Sequence, residues 1–326
     1  MNLIDLTKNQ HFISQTEQRL NAINPFDKDK NKKIYSFSLI DRESYSIKLD
    51  SLNGFKISNT LSLNDIFSFD VLEKDNTRHN FEKLFNKYET DIKKHSDNLI
   101  IKLKNKNKDI KSEIVNIFLS KTLNFIRNPY SINKILNTYS SLRNMHPTDL
   151  IHYKNYERIL NGRKPHQQHI CQKLGITERK YKEWLSIIFL LLIQFEKNQF
   201  NIFEQSVKSL FEDKNLLKTI YLYTFDEKSC LLSDRGYSIP FPEDQLTSWD
   251  FNINSKCFIR YIFADIKLFS PINTPRTIYE QYKNNNNTIY YEHINNDLNE
   301  LEKYNRNLVY QCHKNIYNST PECYGL

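Results

Sequence analysis

Lys33-Ile34-Tyr35-Ser36-Phe37-Ser38-Leu39 and, beyond Asp41-Arg42-Glu43, Tyr45-Ser46-Ile47-Lys48-Leu49 alternate polar and apolar side chains. A period of two on both sides of a polar turn is the signature of a β-hairpin, because successive strand residues point to opposite faces. The turn dipeptide Asn53-Gly54 leads into a further short element, Phe55-Lys56-Ile57. Upstream, His11 to Leu20 would place Phe12, Ile13 and Leu20 on one side of a short helix. The first part of the chain therefore reads as mixed α and β.

From about Thr77 the spacing turns helical. Phe81, Leu84, Phe85 and Tyr88 recur at three and four residues, as do Ile114, Ile117, Phe118, Leu123 and Ile126. Leu103 to Lys111, lysine-rich and without aromatics, reads as a solvated helix end or loop. Helices continue through Thr148 to Leu160, with Thr148 as N-cap and Gly162 near the end, and from Thr177 to about Tyr223. Trp184 to Phe195 is apolar all round but twelve residues long. That is short of the ~20 residues that cross a bilayer, so it reads as a buried helix without membrane contact.

The last third is mixed again. Cys230-Leu231-Leu232, Tyr237-Ser238-Ile239 and Phe258 to Phe269 read as strands, punctuated by Gly236, Pro240, Pro242 and Pro271. Asn284 to Asn287 reads as a loop, and Ile294 to Tyr310 as an amphipathic helix carrying Leu298, Leu301, Tyr304 and Leu308. The fold class is α+β: an N-terminal β-hairpin region (1–95), a central helical layer (96–223) and a C-terminal strand/helix region (224–326). The alternative organisation joins the first and third parts in one compact domain.

The 326 residues suffice for a substantial core, and 39% apolar with 13% aromatic content excludes disordered and fibrous classes. Five glycines are too few for a glycine-built nucleotide loop. A net charge of +8 permits a polyanionic partner without requiring one. The first residues lack a basic start followed by an apolar run, and the five scattered cysteines have no Cys-x-x-Cys spacing. A cytoplasmic protein with free thiols is expected.

Three motifs carry chemical readings. Ile170 to Leu185 has the layout of a bacterial helix-turn-helix, with Gly175 turning and Thr177 capping the second helix. In that reading Glu178, Arg179, Lys180 and Lys182 face DNA; the plainer reading is an ordinary helical hairpin. His146, His152, His166 and His169, with Cys171, form a histidine-rich stretch whose spacing fits no common zinc site, so no metal is assigned. Arg163 and His169 also match the Arg-x5-His spacing of HEPN-type ribonucleases. Asp250 with Asp265-Ile266-Lys267 fits the two carboxylates and lysine of a metal-dependent nuclease, and equally fits surface charge.

Asn9-Gln10-His11-Phe12-Ile13-Ser14-Gln15, Phe125-Ile126-Arg127-Asn128-Pro129, Leu231-Leu232-Ser233-Asp234 and the terminal Asn-containing helix occur in one order. On these segments the chain resembles the bacterial DUF-4238 family over most of its length, with Ser14 where that family has proline. The resemblance implies an architecture and candidate residues: His11, Gln15, Arg127, Pro129, Ser233 and Asp234. It implies no reaction. A histidine, an arginine and an aspartate converging on one pocket would be the minimum for acid–base chemistry on a phosphodiester.

Together these readings give an expectation of a nuclease-like effector acting on RNA or DNA, in a toxin or phage-defence setting. Its catalytic residues would be His11, Gln15, Arg127 and Asp234, and Arg179, Lys180 and Lys182 would contact nucleic acid. No cofactor is assigned. The alternative is a non-catalytic module that binds DNA or a partner protein.

Overall fold

Ser36 and Ser38 point to one face of the strand Lys33–Asp41 and donate to the two carboxylate oxygens of Asp50, each at 2.6 Å. The intervening Tyr35, Phe37 and Leu39 point the other way, into a hydrophobic cluster. The next strand, Ser46–Leu49, sets Leu49 opposite Phe37 and Ile47 opposite Leu39. The alternating pattern thus becomes a hairpin whose polar face is pinned by one carboxylate and whose apolar face is packed.

The structure is a computed structural model describing residues 2–107, 109–196, 199–242, 246–269, 274–286 and 288–326. In chain order the elements are β1 (Asn9–His11), α1 (Gln15–Arg19), β2 (Lys33–Asp41), β3 (Ser46–Leu49), β4 (Phe55–Lys56), β5 (Ser62–Asn64), β6 (Ser68–Leu72) and β7 (Thr77–Asn80). The helical layer is α2 (Glu82–Lys104), α3 (Lys111–Arg127), α4 (Ile132–Thr138), α5 (Leu150–Asn161), α6 (Gln167–Leu174), α7 (Glu178–Leu192) and α8 (Ile202–Glu212). The remainder is β8 (Leu216–Thr224), β9 (Leu232–Ser233), β10 (Leu246–Asn254), β11 (Cys257–Asp265), α9 (Arg276–Asn285), β12 (Ile289–Asn295), α10 (Leu298–Gln311) and β13 (Asn315–Asn318). The fold is α+β.

Two sheets flank this arrangement. One has the order β10-β11-β8-β12, antiparallel except for the parallel β8–β12 pair. The other runs β3-β2-β13-β9, with β4 also paired to β2, so a strand near each end of the chain shares one sheet. Phe118 of α3 meets the rings of Phe251, Tyr261 and Phe263 and so fixes the helical layer on the first sheet. α10 lies between the sheets, with Tyr304 stacked on Phe258 at 4.1 Å. From Trp184 to Leu192 α7 is buried, and Trp184 Nε1 donates to the Ile126 carbonyl at 2.9 Å. Among the described residues no helix is long and apolar enough to cross a membrane. The five cysteines are unpaired.

Several expected boundaries are corrected. His11 lies in β1, opposite Ser62, and the helix starts only at Gln15, after the N-cap Ser14. The N-cap of α5 is Asp149 rather than Thr148, because the Asp149 carboxylate accepts from His152 N at 2.9 Å. The helical run from Thr177 ends at Leu192, resumes as α8, and gives way to strand at Leu216. Phe195 itself is exposed. Phe258 to Phe269 is strand only to Asp265, then one 3-10 turn. Ile294 and Asn295 close β12 before α10 starts. Tyr237 to Ile239 holds only an isolated bridge from Ser238 to Asp250. Asn284 and Asn285 end α9; Pro271 and Asn287 lie outside the described residues.

Candidate functional site: a basic groove at the carboxyl ends of two parallel strands

β8 and β12 run parallel, and their carboxyl ends, Thr224 and Asn295, lie side by side. Chain ends of parallel strands commonly open onto ligand clefts, because the connecting segments diverge there. Here they open onto a cavity of about 870 Å³. Its other walls are α1, the loop before β2, the outer face of α2 and the turn between β10 and β11. Among the described residues, five cationic side chains line it, Arg19, Lys32, Lys93, Lys104 and Lys256, against two carboxylates, Asp29 and Asp226.

The cations differ in how firmly they are engaged. Asp29 holds Arg19 at 3.3 Å and Lys32 at 3.1 Å, and a hydrogen bond from Lys32 keeps the Asp29 carboxyl below its ordinary range. Lys256 donates to the main-chain carbonyls of Glu227 and Lys228. Lys93 and Lys104 are exposed on α2 and have no ion-pair partner among the described residues. At the strand ends the Thr224 hydroxyl lies 2.8 Å from His293 Nε2 and 3.0 Å from Asn295 Oδ1. Burial lowers the His293 imidazole below its usual range.

Of the residues expected from sequence, His11 lies in β1, Gln15 opens α1 and Arg127 closes α3. His11 is buried, and its Nε2 lies 3.3 Å from the Ile57 carbonyl, so that nitrogen carries the proton. Burial, with help from the charges of Arg127 and Arg19, pushes its pKa down to about 4. Gln15 Oε1 accepts from Arg19 at 2.8 Å and so braces one wall of the groove. Arg127 is buried, ion-paired with Glu89 and bonded to Asn124 Oδ1 at 2.9 Å. It does not pair with Asp234. That carboxylate is buried and accepts the main-chain N–H groups of His313, Lys314 and Asn315 at 2.7–3.0 Å. Burial pushes the Asp234 carboxyl upward, and the three donors oppose the shift. Asn128 donates to the Asp234 carbonyl at 2.8 Å, so this region tethers α3 to the β9 turn. None of these four side chains lines the groove.

The helix-turn-helix geometry is present: Gly175 turns at φ +64°, and Thr177 Oγ1 accepts from Lys180 N. The first turn of α7 is its free part. There Arg179 pairs with Glu183 and Lys180 donates to Asn133, each within 3 Å, and the rest of the helix enters the core. In a helix-turn-helix the N-terminal residues of the second helix contact base edges; here that turn is exposed and the helix beyond it is largely buried. Asp250 is buried in a two-pronged pair with Arg260. Asp250 faces Arg260 across the β10–β11 ladder, five positions from Asp265, roughly 17 Å at strand spacing. The two carboxylates therefore cannot share one metal ion. No group of three or more potential metal ligands occurs among the described residues.

The groove residues escaped sequence reading. They come from separate segments, each a single lysine or arginine in a lysine-rich chain, and the one local signal is that Thr90, Lys93, Ile100 and Lys104 fall on one side of a helix. No family model matches the chain, nor does any curated protein or solved structure.

Proposed function

We propose that this chain acts on nucleic acid and holds it by its phosphate backbone in the basic groove. The observation that supports the reading is the excess of cations in that cavity, above all the unpaired Lys93 and Lys104. Lys104 lies eleven positions beyond Lys93 on the helix, roughly 16 Å along the axis. Such a span suits an extended polyanion better than one small anion. Contacts of this kind carry little sequence information. The acid–base reading of His11, Arg127 and Asp234 draws less support, since each is occupied in a structural contact. The resemblance to the DUF-4238 family adds no reaction.

Titration of a 20-nucleotide RNA and a DNA of equal length at 50 and 200 mM salt tests this. Affinity should fall steeply as salt rises, because phosphate contacts release counterions. The double variant Lys93→Glu, Lys104→Glu should bind at least about tenfold more weakly and with a salt slope smaller by about two. Equal binding by both proteins, or none by the wild type at low salt, would sink the proposal.

A further inference from the structure

A cavity of about 380 Å³ is walled by α5, by α7 and by Arg143 of the 3-10 turn Ser140–Asn144. Small molecules occupy sites of this size. Tyr156 and Leu160, four apart on α5, form its apolar side. Glu178, Lys182 and Ser186 line it from α7 at intervals of four residues, all within the helix, so they follow one another along one face with a rise of about 6 Å each. Glu178 is exposed, Lys182 half-buried and Ser186 only 6% exposed, which makes Ser186 the deep end. The Ser186 hydroxyl is buried with no hydrogen-bond partner among the described residues. Thr122 and Ser206, also inside helices, donate to the carbonyl four residues back, the usual outlet for such a group. Ser186 does not use it. Among the charged lining residues Arg179 and Glu183 neutralise each other at 2.8 Å. Glu178, Lys182 and Arg143 have no ion-pair partner among the described residues, and Arg143 spends Nη2 on the Leu136 carbonyl at 2.8 Å. From mouth to floor α7 therefore presents a free carboxylate, a free ammonium and a buried hydroxyl, in that order, beside an apolar wall.

We propose that this cavity binds a free aromatic α-amino acid whose ring carries a hydrogen-bonding group at its far end. The α-ammonium meets Glu178, the α-carboxylate meets Lys182 with Arg143 as a second cation, the ring lies on Tyr156 and Leu160, and the ring substituent reaches Ser186 Oγ. A zwitterion supplies both charges at once, from one carbon atom, as a carboxylate and an ammonium on adjacent helical turns require. A polyphosphate would meet the carboxylates of Glu178 and Glu183, and a plain hydrocarbon would leave every polar group in the cavity unmatched. The buried hydroxyl at the floor favours a ring with a polar end over one without. None of these residues lines the basic groove, so the site and the groove stand or fall separately.

Calorimetric titration of the full chain with L-tyrosine, L-phenylalanine, tyramine and 3-(4-hydroxyphenyl)propionate tests each contact. Tyrosine should bind, and the three analogues, which lack the hydroxyl, the carboxylate and the ammonium in turn, should each bind about tenfold more weakly or worse. Ser186→Ala deletes a hydroxyl that has no partner within the protein, so this variant should keep or exceed the wild-type thermal midpoint. It should bind tyrosine no better than phenylalanine. Lys182→Met should weaken tyrosine and leave tyramine unchanged. No binding of tyrosine up to about 1 mM overturns the inference. Equal binding of tyrosine and phenylalanine by the wild type, or a preference for tyrosine that survives in Ser186→Ala, overturns it as well.

Discussion

Lys121 of α3 and Glu17 of α1 form an ion pair in which the side chains are 1% and 3% exposed. Asn124 donates to both Glu17 oxygens, at 2.8 and 3.0 Å, and Ser14 donates to one of them at 3.2 Å. From Asn124 the chain of contacts passes to Arg127 and on to Glu89. α1 is only five residues long, and this polar network is what anchors it against the helical layer. Removing one member strands the other charge in the core. Glu17→Ala should therefore cost about 3–5 kcal/mol, whereas replacing Glu17 and Lys121 together by apolar residues should cost less than the two single changes combined. Urea unfolding of the three variants measures both quantities.

Glu82, at the start of α2, has a carboxyl raised to about 7 by burial and by the nearby Glu89, against the opposing pull of Arg127. Its Oε1 is buried without a hydrogen-bond partner among the described residues. The folded chain holds this proton more tightly than the unfolded chain, so the contribution is fully present below about pH 4.5 and is lost as pH rises to about 7. Glu82→Gln should raise stability by about 2–3 kcal/mol at pH 8, and the gain should shrink toward zero near pH 4.5. Thermal midpoints of the two proteins across that window would show whether it does.

His11 works in the opposite direction. Its folded pKa of about 4 lies below the ordinary 6.5, so folding favours the neutral ring. Stability from this group is present above pH 6.5 and is lost as pH falls toward 4. The His11 ring resonances should stay in their neutral position to below pH 5 in an NMR titration. His11→Gln should flatten the acid side of the stability curve by roughly 2–3 kcal/mol. An inflection of any activity near pH 6–7 would then originate elsewhere.

Arg260 grips Asp250 through Nε at 2.8 Å and Nη2 at 3.0 Å, and reaches Glu300 through Nη1 at 2.7 Å. This fork joins β11, β10 and α10. A lysine keeps the charge but not the planar geometry that serves both carboxylates. Arg260→Lys should cost about 2 kcal/mol or more, and Arg260→Met, which leaves Asp250 buried and unpaired, about 3–5 kcal/mol. Denaturant midpoints of the two variants would rank them, and a smaller loss in the methionine variant would contradict the account.

The alternation at 34–39 and 45–49 was readable because only one face of the hairpin is apolar, the other being claimed by Asp50. The helical spacing in α2 and α3 was readable for the same one-sided reason. β8 was not. Its inward positions are Lys218, Ile220 and Leu222, and a buried lysine in the first of them breaks the period. The positions on its other face include Leu217, Tyr221 and Tyr223, the last two packed in the second hydrophobic cluster, so neither side looks polar. For the groove the difficulty is of another kind. A cavity assembled by tertiary packing from single basic residues leaves no spacing in the sequence. His11 and Asp234 were singled out by the family resemblance alone, and both side chains are taken up here by satisfying main-chain groups.

β2 ends at Asp41 and its partner β13 begins at Asn315. The segment Tyr35–Ser38 of β2 therefore waits until the chain has reached residue 315 before β13 can pair with it. Until then β2 presents an open row of main-chain donors and acceptors beside the apolar side of the hairpin, the arrangement most prone to pair with another chain. Closing so long a loop is slow compared with forming the helices between. The helical layer can be assembled early, while the sheet that joins the two ends is the late, concentration-sensitive step of folding.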